Sequence, residues 1–273
     1  MDYRLKENRR EAFKKWFTWS LAYKDCDPAI WMANYIFDRF EFNSEQKFWL
    51  CWFYANTYYY PTAFILWNEF PDYELCDQER LEEWNTKNYS KLRYQTDTKY
   101  NKGHLPKMFA SYKSNVGSML QEDYFKQFYG KTEEESFLNI YKHVEKNFFK
   151  FGRYTTWFYL QSLKQCCGLK INPPDLRLCD YEGSKSHRNG LCYALGYDEW
   201  IDQKLCLTQI NLLECEAKKL LAEIDHPDAD LFMMETCLCS FKKIFRERDG
   251  RYLGYYLDRQ SEEIMKVEKD GWD

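Results

Sequence analysis

One segment of this chain has aromatic or apolar side chains on most faces of a helix. It begins near Ser44 and runs through EQKFWLCWFYANTYYY to Pro61, where the ring and missing N–H of proline should end or kink it. A helix that is apolar on most faces must be buried on most faces. The segment therefore predicts a central helix with the rest of the fold packed around it.

Helical signals extend over most of the remaining chain. Asp27 and Pro28 suit the N-cap and first position of a helix through PAIWMANYIFDRF. TEEE at 132–135 is a capping box, and apolar residues at helical spacing follow it. Similar apolar stripes occupy 210–224, where DHP stops the pattern, and 234–245. The sequence thus predicts an all-α, mainly helical fold.

Strand signals are scarce, and two polar stretches separate the helical patterns. KLRYQT at 91–96 alternates briefly, which fits a short strand or an extended linker. We expect loops at 91–107 and 172–190, because both are rich in polar residues with Gly or Pro.

The length of 273 residues permits one large domain or two modest ones. The chain shows neither a fixed-period repeat nor a Gly/Ser-rich linker. We expect a single helical domain over 1–273, with lobes of about 1–130 and 131–273 around a cleft between the two loops.

Charge and aromatic content limit how the protein could meet nucleic acid. The net charge is -4, from 39 Lys and Arg against 43 Asp and Glu, so contact with phosphates needs a local basic patch. The chain has 23 Tyr, 20 Phe and 10 Trp. Most of these rings should form the core, and a few could line a groove that stacks bases.

Cysteine usage indicates a reducing compartment. The 11 cysteines are odd in number and irregularly spaced, which argues against a disulfide framework. CLC at 237–239 lacks the two-residue gap and the second half of a zinc motif, so no metal site is predicted. The charged N-terminus does not read as a signal peptide, and no apolar run reaches about 18 residues. We expect a cytoplasmic protein without membrane spans.

The octet GSKSHRNG at 183–190 contains no apolar side chain. Its flanking glycines let the backbone bend and expose N–H groups. Lys185 and Arg188 add fixed positive charge, and the guanidinium of Arg can bind a phosphate through two parallel hydrogen bonds. His187 could act as acid or base. The Gly-Lys-Ser/Thr ending of a Walker loop is missing. Composition leaves two interpretations open, a solvated polar turn and an anion site.

Two further basic clusters are weaker signals. Arg153 follows a glycine at the start of an apolar helix, where a helix N-terminus can hold an anion; a solvated Arg is the slightly favoured alternative. In the stretch 91–107, Arg93, Lys99 and Lys102 alternate with tyrosines, which suits contact with a nucleic-acid backbone and bases. Charged loops are usually only solvated.

Carboxylates in apolar surroundings form a fourth group of candidates. Asp258 and Arg259 follow an aromatic run and could form a buried structural pair. Asp258 could instead face a cleft and recognise an amine or act as a base. Glu235 lies among apolar neighbours and needs a partner if it is buried.

Five stretches spread over roughly residues 11–260 carry a family likeness. They are KKWFTWSLAYKDCDPAIWMANYIFDRF, EQKFWLCWFYANTYYYPTAFILWNEFPD, FGRYTTWFYLQSL, LRLCDYEGSKSHRNGLCYALG and RYLGYYLDR. Together they resemble the bacteriophage thymidine-hypermodification family, whose members are called α-glutamyl/putrescinyl-thymine pyrophosphorylases or amino acid:DNA transferases. The octet with its NGLCY continuation and the GYYLDR ending are the most specific parts.

The resemblance implies a fold, a substrate and partners. It implies an all-α fold similar to helix-hairpin-helix DNA glycosylases, acting on double-stranded phage DNA in the infected bacterial host. In that DNA, 5-hydroxymethyluracil has been pyrophosphorylated by a DNA kinase, which is a potential partner. The amine of an amino acid such as glycine, or of a polyamine, then displaces pyrophosphate at the 5-methylene carbon. A non-catalytic DNA-binding module of the same pathway and a base-excising glycosylase are the alternatives.

The resemblance also gives the candidate residues roles in a mechanism that flips the target base out of the duplex. The carboxylates and imidazole that could orient or deprotonate the amine are Asp258, Asp180, Glu235 and His187. The pyrophosphate ligands would be Arg153, Ser184, Lys185, Ser186, Arg188 and Asn189. The amino-acid ligands would be Arg259 and Tyr256. The side chains that would contact base and DNA are Trp157, Tyr159, Arg93, Lys99 and Lys102.

Two features depart from the expected pattern. The LPGxG-type hairpin of the glycosylases is not evident, and FGRYTTW would have to stand in for it. A glycosylase-type catalytic Asp cannot be assigned. These residues require no metal or other cofactor, although pyrophosphate can bring Mg²⁺.

Overall fold

The computed structural model consists of α-helices and connecting segments. It describes Asp2, residues 5–22, 28–241 and 254–272, without the side chains at 28–31, 96–97 and 254–258. Within these residues there are thirteen α-helices, three 3₁₀ helices and no strand, which confirms the all-α prediction. No helix in the described part of the chain combines the length and apolarity needed to cross a bilayer.

The helices follow one another along the chain with short connections. The α-helices are α1 (Arg9–Ala22), α2 (Pro28–Phe40), α3 (Ser44–Thr57), α4 (Tyr60–Glu69), α5 (Gln78–Asn88), α6 (Leu105–Val116), α7 (Gln121–Lys126), α8 (Glu133–Asn147), α9 (Arg153–Cys167), α10 (Lys185–Leu195), α11 (Leu207–Ala222), α12 (Leu231–Phe241) and α13 (Gly254–Asp270). The 3₁₀ helices are Lys6–Asn8, Thr96–His104 and Asp198–Trp200.

Two compact units make up the chain, and each combines segments that are distant in sequence. Unit 1 consists of Met1–Pro28 and Asn172–Tyr256. Unit 2 consists of Ala29–Ile171 and Leu257–Asp273. The predicted single domain with lobes of about 1–130 and 131–273 stays a prediction.

Unit 2 is built around α3, as its aromatic sequence predicts. Asn43 caps the helix in a capping box with Gln46, and every residue at 48–57 is buried. The indole N–H of Trp49 donates to the carbonyl of Phe70 at 2.7 Å, which satisfies the polar group of a fully buried ring. The helix ends at Thr57, before the expected stop. Pro61 instead lies in the first turn of α4, where its missing N–H costs no hydrogen bond.

Both predicted loops contain helices. The stretch 91–107 holds the 3₁₀ helix Thr96–His104 and the start of α6, so the strand considered for 91–96 is wrong. In the stretch 172–190, residues up to 184 form turns, but α10 begins at Lys185. The octet is therefore the first part of a helix. The sequence did not predict this helix, because the octet lacks the apolar periodicity by which helices are recognised.

Unit 1 is organised by a close contact between α10 and α12. A Cβ atom built on Gly190 would lie 1.9 Å from the carbonyl oxygen of Leu238, a distance that excludes any side chain. Gly190 therefore lets the two helices approach more closely than any other residue would allow. Helix α1 packs against both of them.

Gly190→Ala should lower the free energy of unfolding by about 2 kcal/mol or more, because the added methyl must push the α12 backbone away. Chemical denaturation followed by circular dichroism measures the change. Gly103→Ala is the matched control, since nothing lies within 4 Å of its Cβ position. It should change stability by less than about 0.5 kcal/mol. Equal effects of the two substitutions would contradict the close-contact interpretation.

Candidate functional site

The turn before α10 fixes the start of the helix. The side chain of Asp180 accepts a hydrogen bond from the Gly183 N–H at 3.0 Å. The hydroxyl of buried Ser184 donates toward the carbonyls of Leu178, at 3.2 Å, and Asp180. Ser184 thus closes this turn as its last residue and is the N-cap of α10, and its hydroxyl proton is already used within the turn.

Arg188 is the most unusual side chain of the octet. It is only 1% exposed, so its guanidinium is removed from water. Its Nη1 lies 3.5 Å from the Ser184 hydroxyl, and its Cζ lies 4.5 Å from the centroid of the Tyr181 ring. Nε and Nη2 have no hydrogen-bond acceptor within the described residues, where no carboxylate forms a salt bridge with Arg188. Buried cations normally have a paired anion.

Cys192 does not supply the missing negative charge. It lies one turn after Arg188 on α10 and is buried. Burial raises the pKa of the Cys192 thiol to about 12, and the opposing effect of the Arg188 charge is smaller. The thiol is therefore neutral near pH 7. The guanidinium remains a buried positive charge that an anion could compensate.

Two other octet residues hold a neighbouring segment against the helix. The Asn189 amide donates to Asp202 Oδ1 at 2.9 Å and accepts from the Asp202 N–H at 3.1 Å. Lys185 Nζ lies 3.3 Å from the same Oδ1 in a half-exposed ion pair. Asp202 adopts a left-handed conformation with φ 61°, which the paired amide helps to hold. Asn189 therefore has a structural partner, while Lys185 and the exposed Ser186 remain accessible to solvent.

His187 and Glu235 face each other inside unit 1. His187 Nδ1 lies 3.0 Å from Glu235 Oε1, and the two side chains are 1% and 2% exposed. His187 Nε2 lies 3.1 Å from the carbonyl oxygen of Leu176. The structure brings these two predicted catalytic residues together. Contact with a substrate would require the enclosure around them to open.

Several predicted residues lie in unit 2. Helix α9 begins at Arg153, as predicted; the side chain is buried and its guanidinium lies 5.4 Å from the centroid of the Trp157 ring. Trp157 and Tyr159 are fully buried, and the Tyr159 hydroxyl is 3.1 Å from that of Tyr112. Stacking of either ring on a base would require the core of unit 2 to open.

Glu263 brings together two arginines with different predicted roles. Arg259 Nε donates to Glu263 Oε1 at 2.9 Å, and Arg93 Nη1 lies 3.9 Å from the same oxygen. The hydroxyl of Tyr59 donates to the other oxygen of Glu263. Both guanidiniums are partly exposed. The side chains of Tyr256 and Asp258 lie outside the described residues.

The predicted DNA-contacting lysines differ in accessibility. Lys102 Nζ donates to the carbonyl of Leu92 and so stabilises its own segment. Lys99 is exposed, with its Nζ 5.0 Å from the ring centroid of Tyr100, which is 69% exposed. Lys99 and Tyr100 therefore present a cation and an aromatic face side by side.

Sequence reasoning missed three residues around the octet. Tyr181 covers the Arg188 guanidinium, Asp202 pairs with Asn189, and Glu214 accepts hydrogen bonds from the N–H groups of Leu176 and Leu178 at 2.8 Å each. Burial raises the pKa of the Glu214 carboxyl, and the two backbone donors partly offset this. The sequence did offer a signal for Glu214, because it is a polar residue within the apolar stripe at 210–224.

Two comparisons with known proteins found similar sequences. The amino acid:DNA transferase family model matches residues 12–249, and the chain belongs to that family. A curated relative, the serinyltransferase of Salmonella phage ViI, is 26% identical to this chain over 295 residues, covering 98% of this chain and 71% of the relative. No solved structure matches, so the similarity to DNA glycosylases stays a prediction.

Arg188→Met keeps the length and apolar stem of the side chain but removes its uncompensated charge. We expect the free energy of unfolding to rise by roughly 1–3 kcal/mol in anion-free buffer, because a buried unpaired cation is costly. Pyrophosphate should raise the Tm of the wild-type protein and leave that of the variant unchanged. Differential scanning calorimetry measures both effects.

The control for this experiment is Arg80→Met, which removes an exposed arginine that forms an ion pair with Glu69. It should change stability by less than about 1 kcal/mol and keep the response to pyrophosphate. A marked loss of stability in Arg188→Met would instead show that Arg188 has a stabilising partner and a structural role.

Proposed function

We propose that this protein joins a small amino acid to a modified thymine in DNA and releases pyrophosphate. The substrate base would be 5-pyrophosphoryloxymethyl-uracil, made by a DNA kinase that acts earlier on phage DNA. The observation that carries the proposal is the buried guanidinium of Arg188, for which no carboxylate partner exists within the described residues.

Arg188 suits the leaving group of this reaction. As the C–O bond at the 5-methylene carbon breaks, pyrophosphate departs with the electron pair and gains negative charge. A fixed cation shielded from water stabilises such charge far more than an exposed one does. The fork of Nε and Nη2 can hold two oxygens of one phosphate. Lys185, half-exposed on the preceding turn, would meet the outer phosphate.

Access to Arg188 would be controlled by Tyr181. Its ring lies over the guanidinium, and the ring itself is only half-buried. Its hydroxyl donates a long hydrogen bond of 3.3 Å to the Asp202 carbonyl. Rotation of this side chain would exchange the aromatic face for a phosphate group, which is the stronger partner for a buried cation.

The donor amine is an ammonium ion near pH 7, and it must pass one proton to a base before it can attack. The freed lone pair then forms the new C–N bond while the methylene–oxygen bond breaks and pyrophosphate leaves. Asp180 is exposed at the turn that leads to Arg188, and one of its oxygens is used by the Gly183 N–H. Its other oxygen is the proton acceptor that we favour among the described side chains.

Two amino acids are the first candidates for the donor. Glycine follows from the resemblance of the sequence to the hypermodification family. Serine follows from the similarity to the phage ViI relative, which is named a serinyltransferase. Arg259, which is partly exposed beside Glu263 in unit 2, stays the candidate ligand that the sequence suggested for this carboxylate.

DNA would contact exposed basic and aromatic groups of unit 2. Lys99 can neutralise a backbone phosphate, and the exposed ring of Tyr100 can stack on a base. The target base would leave the duplex before it reacts, because its methylene carbon must meet both the amine and the pyrophosphate ligands. Mg²⁺ could accompany the pyrophosphate, but the proposed roles of these side chains do not require it.

The test supplies the purified protein with DNA that carries the pyrophosphorylated base. Glycine, serine and putrescine are added in separate reactions, and the DNA is digested to nucleosides for mass spectrometry. We expect one amine adduct and an equal amount of released pyrophosphate. Binding of DNA without an adduct would indicate a non-catalytic module, and release of free base would indicate a glycosylase. Either result would overturn the proposal.

Arg188→Met should reduce adduct formation by roughly 100-fold or more, the effect expected when a single buried charge-stabilising donor is lost. Lys185→Gln should reduce it less, because Lys185 is half-exposed and its charge is screened. Arg80→Met should keep activity within about twofold of the wild type. Unchanged activity of Arg188→Met would exclude Arg188 as a pyrophosphate ligand and remove the observation that carries the proposal.

A further inference from the structure

We propose that His187, Glu235 and Cys239 bind one divalent transition-metal ion, with Zn²⁺ as the preferred ion, inside unit 1. One ligand atom from each residue lies within 4.8 Å of the other two. Together they provide the nitrogen, oxygen and sulfur donors that zinc accepts. The site is independent of the proposed transfer reaction.

The orientation of the His187 ring supports the proposal. Nε2 lies 3.1 Å from the Leu176 carbonyl, which can only accept a hydrogen bond, so Nε2 carries a proton. In a neutral imidazole, Nδ1 then has a lone pair that points toward Glu235 Oε1 at 3.0 Å. A cation between these atoms accounts for that contact. Metal-bound histidines characteristically donate their other N–H to a backbone carbonyl in this way.

The backbone places the other two ligands on one face of α12. Glu235 and Cys239 are four residues apart, which brings their side chains together on a helix. The close approach of α10 to α12 at Gly190 brings His187 to that face. The three ligands therefore come from two helices that the fold already holds in contact.

The distances require only a small adjustment. Two nitrogen or oxygen ligands of one zinc ion lie roughly 3–3.5 Å apart, and a nitrogen and a sulfur ligand lie roughly 3.5–4 Å apart. The observed 3.0 Å between nitrogen and oxygen fits the first range. The limit of 4.8 Å for the group means that the sulfur moves by at most about 1 Å. Rotation of the partly exposed Cys239 side chain provides that movement.

The ion would also balance the charges of the site. On binding, the Cys239 thiol releases its proton to solvent and becomes a thiolate. Zn²⁺ then compensates the thiolate and the Glu235 carboxylate, both of which are costly when buried alone. Three protein ligands leave a fourth position for water or another small ligand. His187 and Glu235 would thus serve as ligands rather than as the acid and base that the sequence suggested.

The experiment measures metal content and ligand identity in the full chain. The protein is stripped with a chelator, reconstituted with Zn²⁺ or Co²⁺, and desalted. Elemental analysis should give about one ion per chain. The Co²⁺ form should show a thiolate-to-cobalt charge-transfer band, which only a cysteine ligand produces. Zn²⁺ should also restore a higher Tm to the stripped protein.

Cys239→Ser is the test variant, and Cys215→Ser is its matched control because Cys215 is exposed on α11 in the same unit. We expect the charge-transfer band to disappear in Cys239→Ser and to persist in Cys215→Ser, with the helical circular dichroism of both unchanged. If Cys239→Ser still binds Co²⁺ and still shows the charge-transfer band, the assignment of this site is overturned.

Two measurements on the wild-type protein decide the question even if Cys239→Ser does not fold. A charge-transfer band in the Co²⁺ protein supports the site, and its absence overturns it. Nitrogen NMR of histidine, assigned by comparison with His187→Gln, gives the second measurement. A His187 ring protonated on both nitrogens, in protein that binds no ion, would show a plain buried ion pair with Glu235 and overturn the proposal. Neither result depends on whether the protein transfers amino acids to DNA.

Discussion

The contact between Gly190 and the Leu238 carbonyl is the constraint on which the organisation of unit 1 depends. His187 precedes Gly190 by three residues, and Glu235 precedes Leu238 by three residues. Positions three apart share a helix face, so the same approach of α10 to α12 brings His187 and Glu235 to 3.0 Å. A larger residue at 190 would therefore disturb both the packing and the buried polar pair one turn away.

The polar side chains of α10 are stabilised by different neighbours because successive residues on a helix point about 100° apart. His187 faces α12, Arg188 faces the turn with Ser184 and Tyr181, and Asn189 faces Asp202. Among the charged side chains of α10, Arg188 has no oppositely charged partner within the described residues. This difference separates a buried, uncompensated cation from side chains that hold the helix in place.

The sequence predicted helices best where apolar side chains set the pattern. The aromatic-rich sequence of α3 predicted a central helix, and residues 48–57 are buried in unit 2. The capping box at Thr132 predicted the start of α8, where the Thr132 hydroxyl accepts from the Glu135 N–H at 3.1 Å. The octet could not be recognised as a helix, because its stability comes from distant partners such as Glu235 and Asp202. For the same reason, the sequence suggested that Gly190 belongs to a turn, whereas the structure shows it at the contact between α10 and α12.

Site prediction from sequence had a corresponding limit. Charge and residue type selected Arg188 and Asn189 alike as candidate ligands. Only the structure separates the buried guanidinium of Arg188 from the amide of Asn189, which is occupied by Asp202. Residue type also suggested that Trp157 and Tyr159 contact bases, whereas both lie in the core. Cys239 was set aside with Cys237 as an incomplete motif, because a ligand set formed by two helices has no fixed spacing in the sequence.

The four consecutive residues at 187–190 restrict how this protein family can diversify. Each contacts a different neighbour, so inserting or deleting one residue after Ser184 would rotate the segment about 100° and misdirect all four at once. Compensation would require simultaneous changes in α12, the Tyr181 turn and the Asp202 segment. Members that use different amines should therefore keep the length of this segment and vary their selectivity at surfaces away from α10.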